Sequence, residues 1–422
     1  MLDIRFIRDN KDLVAEAARK KHIDFSVDEL LTIDDKRRKL LFVIEAKRTQ
    51  QNDYNEKITN ASPEDRTKFI EQMRSLKDEL QREEDELKDV MRAWQMYMIQ
   101  VPNVPDISVP EGKSDKDNLE IRTWGKIPKF DFKPKTHTEL MENLDMADFE
   151  RGAKVSGFRG YYLKNDGALL NFALWQFIID HFTTKGGFTP MMVPSLVRRE
   201  SLLGTGFLPQ GEEDLYKTQD GEYFAGTGEA GAMSYYMDET LDRTKFPLKM
   251  LAFSPCFRRE AGSHGKDVKG LYRVHEFFKF EQVVLCEANH ETSVAFHEEL
   301  TRNAEELVEA LGLPYHVVIN CGGDLGLGQV KKYDIETWRA GENSYGETHS
   351  SSYFHDFQTR RLNIRYKDVD GKMKFAHSLN NTAMAFPRIL ISIIENNQQE
   401  DGSIIIPEVL HKYMGKGIIK KK

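Results

Sequence analysis

Two segments joined by a polar loop carry arginines, a glutamate and a phenylalanine of the kinds that bind a nucleotide. The first reads Arg258-Arg259-Glu260 after an apolar run, and the second places Arg273 four residues before Phe277. Residues four apart in a strand lie on the same face. An arginine fork can hold a phosphate and a carboxylate, a glutamate can accept from an adenine amino group, and a phenylalanine ring can stack on the base. The set predicts ATP binding, with a sheet hairpin that has a charged edge and a core phenylalanine as the open alternative.

A second candidate lies near the C-terminus, where Pro387-Arg388 precedes an apolar run. Proline restricts Phe386 to extended geometry and can occupy the first position of a helix. Arg388 would then lie in the first helical turn, beside free N–H groups that can bind a phosphate. An ion pair with a carboxylate is the commoner fate of an isolated arginine above an apolar helix, and it stays open here.

The elements that must position these residues read as strands and helices in mixed order. Stretches rich in β-branched and aromatic residues predict strands, and apolar-periodic stretches predict helices. The predicted strands lie within 188–197, 248–259, 277–286, 315–319 and 361–368, and the predicted helices lie near 168–184, 289–311 and 387–398. Since turns join most strands of the second half, we expect an α+β fold on a mainly antiparallel sheet.

The first hundred residues follow the pattern of a coiled coil. Over residues 69–97 apolar residues recur at alternating steps of four and three, about four heptads in all, with Glu83 as the exception. Ser62-Pro63 marks the start of this helix as its N-cap and first residue. A stripe of the same spacing over residues 33–58 precedes it, interrupted by three polar residues: Arg37, Lys47 and Gln51. The two stripes predict an antiparallel helical hairpin.

A proline-rich stretch after the hairpin reads as a linker. Prolines 102, 105 and 110 stand among small and polar residues in VPNVPDISVPEGKSD and cannot continue a helix. The pattern predicts an N-terminal domain over residues 1–103, with the helical arm at about 27–100, and a second domain over 104–422.

The composition is that of a soluble globular protein. Of 422 residues, 40% are hydrophobic and 30% are charged, and the formal net charge is −8. A negative sum does not exclude a nucleic-acid partner, because phosphate contacts depend on local lysine and arginine clusters. No stretch approaches the roughly 20 apolar residues of a membrane span, and the N-terminus does not have the pattern of a signal peptide. Three scattered cysteines favour a reducing cytosol over a disulfide framework.

Over essentially its whole length the chain resembles the seryl-tRNA synthetases of the bacterial or eukaryotic type, which are class II aminoacyl-tRNA synthetases. FTPMMVPSLVRRE and its continuation, with Pro194, resemble class II motif 1. FRREAGSHGKDVKGLYRVHEFFKFE is similar to motif 2, and LNNTAMAFPRILISIIENNQQEDGS is similar to motif 3. The opening LDIRFIRDNKDLVAEAARKK, the helical arm and the VPNVP linker match the N-terminal plan of the family.

The resemblance implies an ATP-dependent ligase of protein biosynthesis in the cytoplasm. Its class II catalytic domain would activate L-serine to seryl-adenylate and transfer serine to tRNA(Ser), with tRNA(Sec) as a further family substrate. Motif 1 implies a homodimer, in which the N-terminal arm reaches a tRNA docked on the other subunit. ATP and Mg²⁺ would be required, and no membrane would be involved.

The resemblance also implies roles for individual residues. Those that would bind L-serine are Thr227, Gly228, Glu229, Arg258, Glu281, Asn380 and Thr382. Those that would bind ATP are Arg258, Arg259, Glu260, Arg273, Val274, Phe277, Glu347, Thr348, His349, Ser350 and Arg388. The catalytic set would be Arg258, Arg388 and Glu347, and Glu347 would ligate Mg²⁺.

Within this set, Arg258 would hold the serine carboxylate and the α-phosphate together. Phe277 would stack on the adenine, and Arg273 and Arg388 would take the γ-phosphate. Little proton chemistry is demanded by such a reaction, so no general base is predicted.

Several positions depart from the family pattern. Gly226 and Gly228 stand where proline and alanine are usual, so we expect a looser Thr227 loop. His349 stands where serine is usual, which puts its own ATP contact in question. Lys266 and Lys269 keep positive charge where arginine is common. Because none of these changes removes a reacting group, we expect an active enzyme.

Other functions fit the residues less well. GGDLGLG at 322–328 lacks the spacing of a dinucleotide-binding loop and reads as a turn, and no Cys/His set has zinc-ligand spacing. An amino acid:carrier-protein ligase on the same catalytic domain would lack the arm. A non-catalytic RNA-binding paralog would have lost Arg258, Glu260 or Arg388. Candidates for RNA contact on the arm are its basic residues, for which a merely solvated role is the alternative: Lys36, Arg37, Arg38, Lys39, Lys47 and Arg48.

Overall fold

The computed structural model describes residues 1–262 and 269–421, and the chain divides into two compact units. The smaller unit comprises Leu2–Arg19 and Ile23–Pro102, and the larger comprises Met1, Lys20–His22 and Asn103–Lys422. Each unit has its own architecture and is described by itself. No helix in the described part of the chain is long and apolar enough to cross a membrane.

The helices follow one another in this order along the chain: α1 Ile4–Asp9, α2 Lys11–Lys20, α3 Val27–Asn60, α4 Pro63–Met98, α5 His137–Asn143, α6 Phe149–Ser156, α7 Asp166–Lys185, α8 Arg199–Thr205, α9 Gly228–Ser234, α10 His290–Ala310, α11 Phe357–Arg361, α12 Arg388–Asn396 and α13 His411–Met414. The three helices predicted in the second domain correspond to α7, α10 and α12, and these predictions are confirmed.

The strands follow in this order: β1 Leu119–Trp124, β2 Ala147–Asp148, β3 Tyr162–Leu163, β4 Phe188–Met192, β5 Leu196–Val197, β6 Tyr216–Lys217, β7 Tyr223–Phe224, β8 Thr240–Leu241, β9 Leu248–Phe257, β10 Glu276–Cys286, β11 Tyr315–Ile319, β12 Lys331–Arg339, β13 Ser344–His355, β14 Arg365–Lys367, β15 Met373–Phe375, β16 His377–Phe386, β17 Ile404–Ile405 and β18 Ile418–Ile419. Each of the five predicted strand segments contains a strand.

The smaller unit is dominated by the long helices α3 and α4, which pack against each other as a hairpin. The side chain of Ser62 accepts a hydrogen bond from the Asp65 N–H, and Pro63 is the first residue of α4. The start of this helix is therefore as the sequence predicts. Four of the predicted seam residues of α4 are buried: Met73, Leu76, Leu80 and Val90.

Polar residues that interrupt the two apolar stripes meet each other across the hairpin. The Lys47 Nζ donates to Glu83 Oε1 at 2.8 Å and to Glu79 Oε2 at 2.9 Å. The Arg37 guanidinium lies over the Trp94 ring, 4.8 Å from its centroid. Polar pairs within a coiled-coil seam specify register because a slipped pairing would leave them facing apolar residues. The interruptions therefore align α3 with α4.

The larger unit is built on an eight-stranded sheet in the order β1-β11-β12-β13-β16-β10-β9-β4. Neighbouring strands are antiparallel except β4 and β9, which are parallel. The expectation of an α+β fold on a mainly antiparallel sheet is confirmed. Helices α7, α10 and α12 contribute buried apolar side chains to the core on the sheet, including Phe182, Leu307 and Ile391.

Three strands at the centre of this sheet, β12, β13 and β16, were not predicted. Strands β13 and β16 are rich in serine, asparagine and threonine, and β12 is rich in charged residues, so none of them resembles an ordinary buried strand. These polar side chains are nonetheless buried and hydrogen-bonded: the Thr301 hydroxyl of α10, for example, donates to Ser351 Oγ at 2.9 Å. Polar partners on both sides of the sheet allow this composition.

The start of α12 differs by one residue from the expectation. Pro387 is the N-cap residue rather than the first helical residue, and Arg388 begins the helix. Phe386 ends strand β16 and has the extended geometry predicted for a residue before proline. Arg388 therefore lies in the first turn, as predicted.

Candidate active site

A cavity of about 300 Å³ opens in the larger unit, over one face of β10, β13 and β16. All but three of the predicted site residues line it. The predicted residues that do line the cavity are Thr227, Glu229, Arg258, Glu260, Arg273, Val274, Phe277, Glu281, Glu347, Thr348, Ser350, Asn380, Thr382 and Arg388. Residues that are far apart in sequence are thus brought to one place, as the motifs predict.

Three predicted residues do not line the cavity. Gly228 begins α9 and faces strand β9, where a side chain would come within 3.2 Å of the Ser254 hydroxyl. Arg259 is exposed, and its backbone N–H donates to the Asp214 carbonyl at 2.9 Å. Neither residue lines the cavity.

His349 requires a correction. His349 alternates with the cavity-lining residues Thr348 and Ser350 along β13, so its ring is buried on the other side of the strand and bonds the Thr348 hydroxyl at 2.9 Å. Burial lowers the pKa of His349 to about 4. A neutral, enclosed imidazole is a packing residue, and the side chain does not lie where ATP was predicted to bind.

One end of the cavity is formed by Glu281 and the groups that surround it. Its Oε2 atom accepts from the hydroxyls of Thr227 and Thr382, each at 3.5 Å, and forms an ion pair with Lys279. Glu281 and Lys279 are both buried. The resemblance did not point to Lys279. Its position two residues before Glu281 and two after Phe277 could have indicated it, because alternate strand residues share a face.

Glu229 lies in the same end of the cavity and is also buried. The Gln358 Nε2 donates to its Oε1 at 2.5 Å. Burial, followed by the negative charge of Glu281, raises the pKa of Glu229 to about 7. A buried carboxyl group beside the negative charge of Glu281 makes a site where a small cationic group, such as an ammonium, is favoured.

The opposite end of the cavity holds Arg388 and Glu347. The Arg388 Nη1 lies 3.3 Å from Glu347 Oε2 and donates to the Glu347 carbonyl at 3.1 Å, and its guanidinium lies over the Tyr272 ring. Although burial opposes ionisation, the positive charges of Arg388 and Lys332 hold the pKa of Glu347 below its ordinary value. The ion pair with a carboxylate, which the sequence left open, is confirmed, and Arg388 also lines the cavity.

Arg258 lies between the two ends. Its Nε donates to the Gly226 carbonyl at 3.3 Å, and its guanidinium lies 5.3 Å from the centroid of the Phe277 ring. The Glu229 N–H donates to the Thr227 hydroxyl at 3.3 Å. These hydrogen bonds hold the Thr227 loop in place. The structure therefore does not support the expectation that Gly226 and Gly228 loosen this loop.

Glu260 and Arg273, which both line the cavity, form an ion pair of 3.0 Å. This ion pair connects the segment after β9 with the segment before β10. Lys266, in the loop between those strands, lies outside the described residues. Lys269 is described and exposed.

The oxygen donors available for a magnesium ion are few. Glu347 and Ser350 both line the cavity. In the described part of the chain no group of three or more histidine, cysteine, aspartate or glutamate residues is arranged to hold a metal. Mg²⁺ commonly takes one or two carboxylates and fills its shell with phosphate oxygens and waters, which fits this donor set.

Comparisons with known proteins agree over the whole chain. Residues 1–105 match the Seryl-tRNA synthetase N-terminal domain, and residues 216–397 match the tRNA synthetase class II core domain (G, H, P, S and T). A serine–tRNA ligase of Deinococcus radiodurans is 46% identical over 98% of both chains.

Solved structures give the same picture. A seryl-tRNA synthetase from Pyrococcus horikoshii, complexed with ATP, is 38% identical and covers 100% of both chains with a TM-score of 0.93. A cytoplasmic serine–tRNA ligase from Naegleria fowleri, in complex with AMP, is 30% identical, with a TM-score of 0.89 over 100% of this chain and 99% of that one.

The raised pKa of Glu229 predicts a pH-dependent stability effect. Its pKa is about 7 in the folded protein against 4.5 for an ordinary glutamate, so the folded state binds the proton more tightly and loses stability as pH rises between these values. Glu229→Gln should therefore raise the free energy of unfolding by about 3 kcal/mol at pH 8 and by less than about 1 kcal/mol at pH 5.

Denaturant unfolding at the two pH values measures this difference. Glu213→Gln, at an exposed carboxylate, serves as the control and should change stability little at either pH. An equal stability change for Glu229→Gln at pH 5 and pH 8 would contradict the assignment.

Proposed function

Because the chain belongs to the seryl-tRNA synthetase family, we propose that it activates L-serine with ATP and transfers the serine to tRNA(Ser). The observation that supports this most directly is the cavity itself. It brings together buried carboxylates and hydroxyls at one end, two arginines beyond them, and a phenylalanine between, as an amino acid joined to an adenylate would require.

Serine is proposed to bind at the carboxylate end. Glu229 and the Thr227 hydroxyl would hold the ammonium group, while Glu281 and Thr382 would bond the side-chain hydroxyl. A pocket built to bond a hydroxyl can reject an analogue that lacks it by roughly 10⁴–10⁵, because its buried polar groups are otherwise unpaired. Alanine would be rejected in this way, and threonine by shape.

ATP is proposed to bind from the adenine-stacking ring of Phe277 to the arginine end. Arg258 would contact both the serine carboxylate and the α-phosphate, and Arg273 and Arg388 would hold the γ-phosphate. A Mg²⁺ ion held by Glu347, with Ser350 as a neighbouring oxygen donor, would offset negative charge on the phosphates.

The reaction would proceed in two steps. A serine carboxylate oxygen attacks the α-phosphorus in line, the bond to the β-phosphate oxygen breaks, and pyrophosphate leaves as seryl-adenylate forms. Arg258 and Arg388 are placed to stabilise the charge that develops on the phosphates. The terminal ribose hydroxyl of the tRNA then attacks the seryl carbonyl, and AMP leaves.

We further propose that the protein works as a homodimer. Apolar side chains are exposed in the segment that resembles motif 1 and in the helix before it: Met192 of β4 is 86% exposed and Phe172 of α7 is 56% exposed, with Leu169 and Ile179 also exposed on α7. Several large apolar side chains exposed on two neighbouring elements favour a protein–protein contact. A second copy of the chain would bury it by two-fold symmetry.

The remaining family properties stay proposals. They are the division into a tRNA-binding domain at 1–103 and a catalytic domain at 104–422, a cytoplasmic location, and tRNA(Sec) as a further substrate.

The arm is proposed to bind the long variable arm of the tRNA, and the structure narrows the residues involved. Four of the six basic candidates already pair with carboxylates of the hairpin: Lys36 with Glu86, Arg37 with Asp34, Lys47 with Glu79 and Glu83, and Arg48 with Glu84. Arg38 and Lys39 are exposed and have no ion pair or hydrogen bond within the described hairpin. Phe42, one turn further on, is 74% exposed. We therefore favour Arg38 and Lys39 as phosphate contacts.

Serine-dependent ATP–pyrophosphate exchange tests the first step. The purified protein should exchange with serine, and Arg388→Ala should lower exchange by at least about 10³-fold, because charge stabilisation in the transition state is lost. Arg360→Ala, which removes an arginine paired with Asp356 outside the cavity, should remain active. Exchange with a different amino acid but not with serine would overturn the substrate, and transfer of label to a carrier protein instead of tRNA would favour the carrier-protein ligase.

Deletion of residues 30–98 tests the role of the arm. The Tyr97 hydroxyl donates to Glu29 Oε2 at 2.6 Å, so the ends of the deletion adjoin and a short linker can join them. The deletion should spare serine-dependent exchange and cripple tRNA charging. Loss of both activities in a deletion that still folds would argue against this division of labour.

The double variant Arg38→Ala/Lys39→Ala tests the proposed RNA contacts. It should weaken tRNA binding, and it should reduce the slope of log affinity against log salt by about one for each lost phosphate contact. Lys36→Ala/Arg48→Ala removes the same charge from pairs that are already neutralised and should have a smaller effect. Equal salt slopes for the two double variants would contradict the choice. Filter binding at several salt concentrations gives these slopes.

A further inference from the structure

One wall of the cavity is a turn formed by Gly326, Leu327, Gly328 and Gln329, called the wall loop below. The Gln329 Nε2 donates to the Ser352 hydroxyl at 2.8 Å, and its Oε1 accepts from the Gly326 N–H at 2.6 Å. Ser352 is paired across the sheet with Asn380, and both line the cavity. The wall loop therefore borders the end of the cavity where serine is proposed to bind.

Lys21 is a buried lysine that holds the wall loop. Its side chain is enclosed, and its Nζ donates to three carbonyls: those of Gly326 at 3.0 Å, Leu327 at 3.0 Å and Gln329 at 2.6 Å. An ammonium has three N–H donors and no acceptor. Each donor thus has one acceptor, and all three acceptors belong to the same short loop.

Asn103 holds the same loop from a second direction. Its Nδ2 donates to the Gly328 carbonyl at 3.0 Å and to the Phe354 carbonyl at 2.8 Å. Its backbone N–H donates to the Leu327 carbonyl at 2.9 Å. Between them, Lys21 and Asn103 bind all four carbonyls of the wall loop, and they also fasten it to Phe354 of strand β13.

The position of these two residues in the sequence is unusual. Residues 20–22 and the chain from Asn103 onward belong to the larger unit, while 23–102 form the bulk of the smaller one. Lys21 thus lies two residues before the start of the inserted segment, and Asn103 follows its end directly. The GGDLGLG turn and the VPNVP linker, which the nucleotide and serine contacts leave without a role, meet here.

From these contacts we propose that Lys21 and Asn103 are positioning residues that hold the wall loop in the shape required for serine binding. This inference rests on the proposed serine activation. Neither residue lines the cavity, so they act through the loop. A purely structural role would affect stability without a selective effect on one substrate.

Lys21→Met keeps much of the side-chain volume and removes all three donors, which leaves one buried and two partly buried carbonyls without this partner. In pyrophosphate exchange, the KM for serine should rise at least tenfold, while the KM for ATP and kcat should stay within about threefold of the parent. Lys20→Met is the matched control. Lys20 donates a single bond, to the Val109 carbonyl, and touches none of the wall loop, so its variant should match the parent.

Two further measurements keep the test decisive if Lys21→Met folds poorly. Asn103→Ala removes the side-chain hydrogen bonds to the Gly328 and Phe354 carbonyls and should also raise the KM for serine selectively. Hydrogen–deuterium exchange of the peptide spanning residues 322–332 should rise in either variant and not in Lys20→Met, whatever the activity of the protein. Serine KM values within twofold of the parent in a folded Lys21→Met or Asn103→Ala would overturn the inference. A parent protein without serine exchange would instead refute the proposed function, while the hydrogen exchange would still report whether the two residues hold the loop.

Discussion

The cost of burying charged groups around Glu281 is the constraint on which the rest of the larger unit depends. Glu281, Lys279 and Glu229 lie in the interior of the protein, where an unpaired charge is strongly unfavourable. Lys279 compensates Glu281, and Gln358 supplies a donor to Glu229. What stays uncompensated is the second carboxyl group, whose pKa is consequently near neutrality. The fold is thus less stable without a cation in this place than it could be, and that deficit favours a ligand with an ammonium group.

This constraint explains the composition of the central strands. One face of β10, β13 and β16 must offer polar atoms to the cavity, and the other must pack against helices. Even the far face is partly polar, because Gln282 bonds the Leu300 carbonyl and accepts from Asn303 of α10. Such strands do not show the alternation of apolar and polar residues by which half-buried strands are usually found.

The same point separates what the sequence could predict from what it could not. The arginine-bearing hairpin, the antiparallel sheet and the capped start of α4 follow from local patterns, and the structure has them. Strands β12, β13 and β16 were not predicted, because their polar residues form hydrogen bonds with partners that are distant in the sequence. Lys279 was not predicted, because the family motifs assign roles only to its neighbours. Its position in the strand places it on the same face as the predicted residues Phe277 and Glu281. The orientation of His349 could have been predicted, because successive strand residues face opposite sides and both of its neighbours, Thr348 and Ser350, line the cavity.

The matched polar residues of the helical hairpin have a consequence for how this arm can vary among related chains. Lys47 and Glu83 lie on different helices and pair with each other where each interrupts a mostly apolar stripe. Loss of Lys47 alone would leave the Glu83 carboxylate without this partner beside hydrophobic residues. Replacement of both residues by leucine would instead extend the apolar seam. The two sites should accordingly be inherited as a unit, so that homologous arms carry either both charges or neither.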